Sequence, residues 1–106
     1  MSDKIPKLKI TVLQRTINQD LIDEYLENPG RHAGKCERLE DGQEFIVEQV
    51  WLPPKGFCAW AWGDIRKDIL TAASGGTFPG MKEPGVVISG CSDWFRPVIF
   101  KIEIID

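Results

Sequence analysis

The sequence predicts an α+β fold: two helices packed on one four-stranded, mainly antiparallel sheet, in the order β-α-β-α-β-β. Three observations carry this. Residues 7–15 and 98–104 alternate apolar and polar side chains, the period of a half-buried strand. Residues 16–26 and 58–73 place apolar side chains at helical spacing between start and stop signals. The chain has 106 residues, 42% of them hydrophobic and 27% charged, which suits a single domain over residues 1–106 with its own core. A chain of this length buries roughly two thirds of its extended surface on folding, so it needs neither disulfides nor a metal to hold it.

In the first strand Leu8, Ile10 and Val12 point one way and Lys7, Lys9 and Thr11 the other. Thr16-Ile17-Asn18-Gln19 has capping-box spacing, and Leu21, Ile22, Tyr25 and Leu26 follow as an apolar stripe. Asn28-Pro29-Gly30 stops that helix. Residues 29–42 form a loop rich in glycine and charge that contains His32 and Cys36. Glu44 to Val50 reads as a strand with Phe45 and Val47 on one face. Pro53-Pro54-Lys55-Gly56 breaks the chain ahead of the second helix. Its stripe is Cys58, Ala61, Trp62, Ile65, Ile69, Ala72 and Ala73, and Ser74-Gly75-Gly76 ends it. A second loop runs to Pro84, and Val86-Val87-Ile88 is a short apolar run ending at Cys91. After a turn at residues 92–95, the last strand faces Val98, Phe100, Ile102 and Ile104 inward and Lys101 and Glu103 outward. Polar residues on the outer faces of the first and last strands fit a sheet with one solvated side.

Composition removes several classes of function. A net charge of −3 argues against nucleic acid or an anionic membrane as partner. No apolar run approaches the ~18 residues of a membrane span. Met1-Ser2-Asp3-Lys4 is not followed by an apolar stretch, so no signal peptide and a cytoplasmic location are expected. Lys4, Lys7 and Lys9 read as charges guarding an edge strand against aggregation. The chain shows no internal repeat, no phosphate loop before a helix and no nucleophile elbow.

Three cysteines, Cys36, Cys58 and Cys91, form an odd set, so they cannot all pair within one chain and are expected to be reduced thiols. Cys58 falls where the second helix begins. Unpaired N–H groups there stabilise negative charge, which suits a nucleophile, a redox thiol or a metal ligand; the plainer reading is a small apolar residue on the buried stripe. The thiols lie 22 and 33 positions apart without a C-x-x-C pair, so spacing alone carries little metal signal. Each nonetheless sits at an element boundary, and boundaries at one end of a sheet can converge. Zinc or an iron–sulfur cluster on Cys36, Cys58 and Cys91 is one expectation, with His32 as a fourth ligand or simply a solvated loop residue.

Asp93 and Arg96 bracket a turn beside Cys91. Arg96 could clamp a carboxylate or phosphate; alternatively the turn is an Asx turn closed by an Asp93–Arg96 pair. Asp64 and Asp68, with Arg66 and Lys67 between them, read as a solvated helix face. Trp51, Phe57, Trp60 and Trp94 could line an aromatic cleft for a small ligand or a protein partner, including a second copy of the chain.

Gly56-Phe57-Cys58 with Ala61-Trp62, and Cys91-x-Asp93-x-x-Arg96-Pro97-Val98 with Phe100-Lys101-Ile102-Glu103, occur in that order after Lys9-Ile10-Thr11-Val12-Leu13 and Gly42-Gln43-Glu44-Phe45-Ile46-Val47. In these motifs the chain resembles a family of small, roughly hundred-residue, uncharacterised prokaryotic proteins. The resemblance spans nearly the whole chain. It implies no activity, and it covers the thiols 36, 58 and 91 together with Asp93 and Arg96. Trp94 departs from the family pattern, where glycine is common. Two expectations follow from all of this. One is a cysteine-centred site for a soft metal, a metallocofactor or redox chemistry, supported by Asp93 and Arg96. The other is a binding module without chemistry, built on the aromatic cleft. An enzyme with Cys58 as nucleophile ranks last, for want of an obvious base.

Overall fold

The computed structural model describes residues 5–31 and 34–105 in full and His32 by its backbone. The elements are β1 (Leu8–Arg15), α1 (Gln19–Tyr25), a 3-10 turn (Pro29–His32), β2 (Glu44–Val47), α2 (Ala59–Ala73), β3 (Val86–Gly90) and β4 (Val98–Ile104). The four strands form one open antiparallel sheet in the order β2-β1-β4-β3. This is the predicted α+β class.

The first and last strands are the central pair. They are also the longest strands with clean alternation, because each is paired on both sides and buried on one face. This placement corrects the edge-strand reading of the lysines. Lys7 immediately precedes and Lys9 lies within an interior strand, and they reach Glu48 at 3.2 Å and Glu44 at 3.3 Å. Lys4 lies outside the described residues.

Helix α2 covers the inner face. Ala61, Trp62, Ile65, Ile69 and Ala72 pack against Leu8, Ile10, Val12, Val47, Val87, Val98, Phe100 and Ile102 in one apolar core. The helix ends as its glycines require. Gly75, at φ +80, donates its N–H to the Ala72 carbonyl, and Gly76 donates to Thr71. That is the pair of bonds of a Schellman cap, which only a residue comfortable in the left-handed region makes without strain. Helix α1 is shorter and contacts the 3-10 turn rather than the strands. Of its expected stripe, Ile22 alone is fully buried, while Leu21 and Tyr25 face solvent. Its N-cap is Asn18, whose side chain makes no cap bond and instead donates from Nδ2 to the Trp94 carbonyl.

One irregularity sets up the site. The pairing of β1 with β4 slips between Val12 and Gln14, so Leu13 is the extra residue of a β-bulge. Strict alternation from Val12 would turn Arg15 outward. The bulge reverses the count, and Arg15 stands opposite Val98, a residue buried on the inner face. The guanidinium is thereby delivered to the end of the sheet where the helix-side loops meet.

Candidate functional site: a thiol-lined cleft

A cleft of about 870 Å³ opens at that end of the sheet. Three segments distant in sequence wall it: the loop from Cys36 to Leu39, the start of α2 from Cys58 to Ala61, and the β3–β4 turn from Cys91 to Arg96. Val98 closes its floor. All three cysteines are free, half-buried and packed against the core. They lie between the apolar interior and the opening.

Cys58 is the N-cap of α2, with its carbonyl accepting from the Trp62 N–H at 2.9 Å and its side chain making no cap bond. Its placement follows from the turn before it. Gly56, at φ +83, lets the chain reverse so that the Phe57 N–H bonds the Pro54 carbonyl at 3.1 Å. Phe57 then swings into the core, with its ring centroid 5.0 Å from Phe45 and 5.5 Å from Phe100. This corrects one part of the aromatic expectation: Phe57 is a prop beneath the cleft, and Trp51 is exposed away from it. Trp60 and Trp94 do line the cleft, and both stay in solvent, at 67% and 70% exposure.

The Cys91 turn is held from several sides. The Cys91 N–H donates to the Val98 carbonyl at 3.1 Å, and the Val98 N–H donates back to the Cys91 sulfur at 3.3 Å. The Ser92 N–H donates to the Asp64 carboxylate at 2.6 Å, and the Trp60 indole N–H donates to the Ser92 hydroxyl at 3.0 Å. Asp93 accepts from the backbone N–H groups of Phe95 and Arg96, both at 3.1 Å, which makes the predicted Asx turn. The turn is closed by the backbone N–H of Arg96. Among the described residues the Arg96 guanidinium has no hydrogen-bond or ion-pair partner, and it lines the cleft. Thr16 and Asn18 hold the far side of the turn through the carbonyls of Pro97, Phe95 and Trp94.

The Cys36 loop depends on fewer bonds. Arg15 Nη1 donates to the carbonyls of Cys36 at 2.8 Å and Leu39 at 3.0 Å, and its Nε donates to Asp41 at 3.0 Å. That hydrogen bond is the main cause holding the Asp41 carboxyl below its ordinary value. Leu39 inserts into the core and anchors the loop from beneath.

Two expectations change here. Among the described residues, no three His, Cys, Asp or Glu side chains are grouped so as to hold a metal ion. The three thiols share a cleft, but each belongs to a separate wall, so the geometry does not supply the ligand set of a zinc or iron–sulfur centre on Cys36, Cys58 and Cys91. The side chain of His32 lies outside the described residues. Asp64 and Asp68 are also not a solvated face. Asp64 anchors the Ser92 backbone, and Asp68 is buried, accepting a short hydrogen bond from the Ser89 hydroxyl of β3. Helical spacing from Ile65 and Ile69 puts Asp68 on the margin of the buried stripe. The Arg66-Lys67 pair beside it masked that signal in the sequence.

No family model matches the chain, and no curated protein and no solved structure is significantly similar to it.

Proposed function

We propose that this protein works through one cysteine-centred cleft, in which a small ligand enters between Trp60 and Trp94 and meets the thiols of Cys36, Cys58 and Cys91. The observation that carries this reading is the convergence of three free thiols from three segments far apart in sequence onto one opening. A core that needed only small apolar residues would have no reason to bring all three to the same solvent-filled space. The volume of about 870 Å³ falls within the range of small-molecule sites. The two exposed indoles at the opening favour the same place for the aromatic-cleft reading, so both readings describe one site. Free thiols there supply soft nucleophiles and soft donors to whatever ligand enters.

The test is the statistics of alkylation. Under limiting pyrenyl maleimide, a bulky reagent, one adduct fills the cleft and slows the second addition. Intact-mass spectra then show single adducts well above the binomial fraction, and peptide mapping spreads them over Cys36, Cys58 and Cys91. Iodoacetamide, which is small, modifies all three. Second and third additions of the maleimide at independent rates would show that the thiols do not share a cleft, and would end this proposal.

A further inference from the structure

The chemical class of the ligand can be read from the groups of the cleft that have no partner. This step rests on the cleft being a ligand site. Every other charged group built into the Cys91 wall is spent. Asp64 is committed to the Ser92 N–H, and Asp93 to the N–H groups of Phe95 and Arg96. Arg15 on the opposite wall holds two carbonyls and a carboxylate. Arg96 is different. It is half-buried in the cleft lining, and among the described residues nothing pairs with its guanidinium. A guanidinium that no protein acceptor engages offers its planar fork of donors to an anion that enters the cleft. The start of α2 adds to this. No side chain caps it, and the N–H groups of Ala59, Trp60 and Ala61 precede the first intrahelical donor, with all three residues lining the cleft.

The remaining lining limits how much charge can enter. Leu39, Ala59, Ala61, Phe95 and Val98 are apolar, and Trp60 and Trp94 offer ring faces. Arg38 and Glu37 are exposed at the opening and oppose one another in sign. Among the described residues Arg96 is the one half-buried cation of the lining without a partner, Arg38 being exposed beside Glu37, and a single half-buried cation among apolar side chains matches one negative charge on an apolar body. We propose that the ligand is a small organic monocarboxylate. Arg96 takes the carboxylate through its planar fork, and Trp60 and Trp94 take the body of the molecule beside the thiols.

The experiment is calorimetric titration of the full chain with a series of monocarboxylates, from benzoate through indole-3-acetate to octanoate, each alongside its primary amide. The amide keeps the shape and removes the charge. A charge-assisted contact of this kind makes the acid bind about tenfold more tightly than its amide, or better. Arg96→Gln abolishes that difference, Arg96→Lys restores part of it, and Lys82→Gln, which removes an exposed cation outside the cleft, leaves it in place. Far-UV circular dichroism checks the fold of the variants, since the Arg96 backbone, rather than its side chain, closes the turn. Amides that bind as well as acids, an Arg96→Gln variant that discriminates as the parent does, or no binding by any acid up to about 10 mM would each overturn the proposal. The maleimide statistics are independent of all three results. A cleft confirmed there but indifferent to charge would be a thiol site for neutral ligands.

Discussion

The wall that carries Cys36 and the wall that carries Cys91 face the same space, yet they are anchored in different ways. The Cys91 turn is tied to β4, to α2 through Asp64 and Trp60, to the end of β1 through Thr16 and Asn18, and to itself through Asp93. The Cys36 loop hangs on Leu39 beneath and on one guanidinium above. Redundant anchors fix a geometry even when one is lost, whereas a segment held by one side chain beneath and one above can open locally at lower cost. The cleft is therefore built as a rigid wall facing an adjustable one. Residues 15–18 at the exit of β1 connect the two, Arg15 serving one and Thr16 and Asn18 the other.

The largest effect expected from this contrast belongs to Arg15→Gln. The variant loses hydrogen bonds to the Cys36 and Leu39 carbonyls and the pair with Asp41. Part-buried bonds to a charged group suggest a loss of about 2 kcal/mol in urea or thermal unfolding. The more telling readout is residue-resolved alkylation: Cys36 reacts about tenfold faster, corresponding to about 1.4 kcal/mol of easier local opening, while Cys91 keeps its rate. Equal acceleration of both thiols would mean that the cleft opens as one unit, and the contrast between its walls would be lost.

A smaller effect is expected for Asp64→Ala on the rigid wall. The Ser92 N–H loses its acceptor, at a cost of about 1 kcal/mol. Because the bonds from Thr16, Asn18, Asp93 and Val98 remain, the Cys91 alkylation rate changes by less than the Cys36 rate does in Arg15→Gln. A Cys91 rate that rose by as much would identify Asp64 as the sole anchor, and would reverse the assignment of rigid and adjustable walls.

The sheet and α2 were legible in the sequence because burial leaves a period. Leu8-Ile10-Val12 and Val98-Phe100-Ile102 announce their strands, and Ala61-Trp62-Ile65-Ile69-Ala72 announces the helix. The thiols and Arg96 could be named as candidates from their positions at element boundaries. What holds the site in place was not legible. The Leu13 bulge leaves no mark in an alternating pattern, so the inward turn of Arg15 had no signal. Capping-box spacing pointed to Thr16, but the N-cap is Asn18, and both residues serve the 94–97 turn some eighty positions away. Asp64 and Asp68 resembled a solvated face because their partners, the Ser92 backbone and Ser89, lie on a strand and turn that composition cannot place beside them. An aromatic side chain carries no mark of which way it faces, so Phe57 reads like Trp60 in the sequence, although its ring packs on Phe45 and Phe100 while Trp60 lines the cleft.

The smallest effect, and the most direct reading of the Arg15 anchor, is the titration of Asp41. The hydrogen bond from Arg15 favours the charged carboxylate, so the folded value is lowered from the ordinary 3.8. A lowered carboxyl contributes stability that is present above the unfolded value and is lost as the pH falls through the folded one. Asp41 is exposed, so solvent screens the pair and little global stability depends on it. The local signature survives that screening. Carboxyl carbon NMR of the parent should place the Asp41 midpoint below the ordinary value, and Arg15→Gln should return it upward. Salt near 1 M, where the screening length is about 3 Å, should move the parent in the same direction but less, because a hydrogen bond at 3.0 Å is only partly screened. An Asp41 midpoint that Arg15→Gln leaves unmoved would mean that the guanidinium does not hold this loop in solution. The Cys36 loop would then hang on Leu39 alone, and the adjustable wall would have no adjuster.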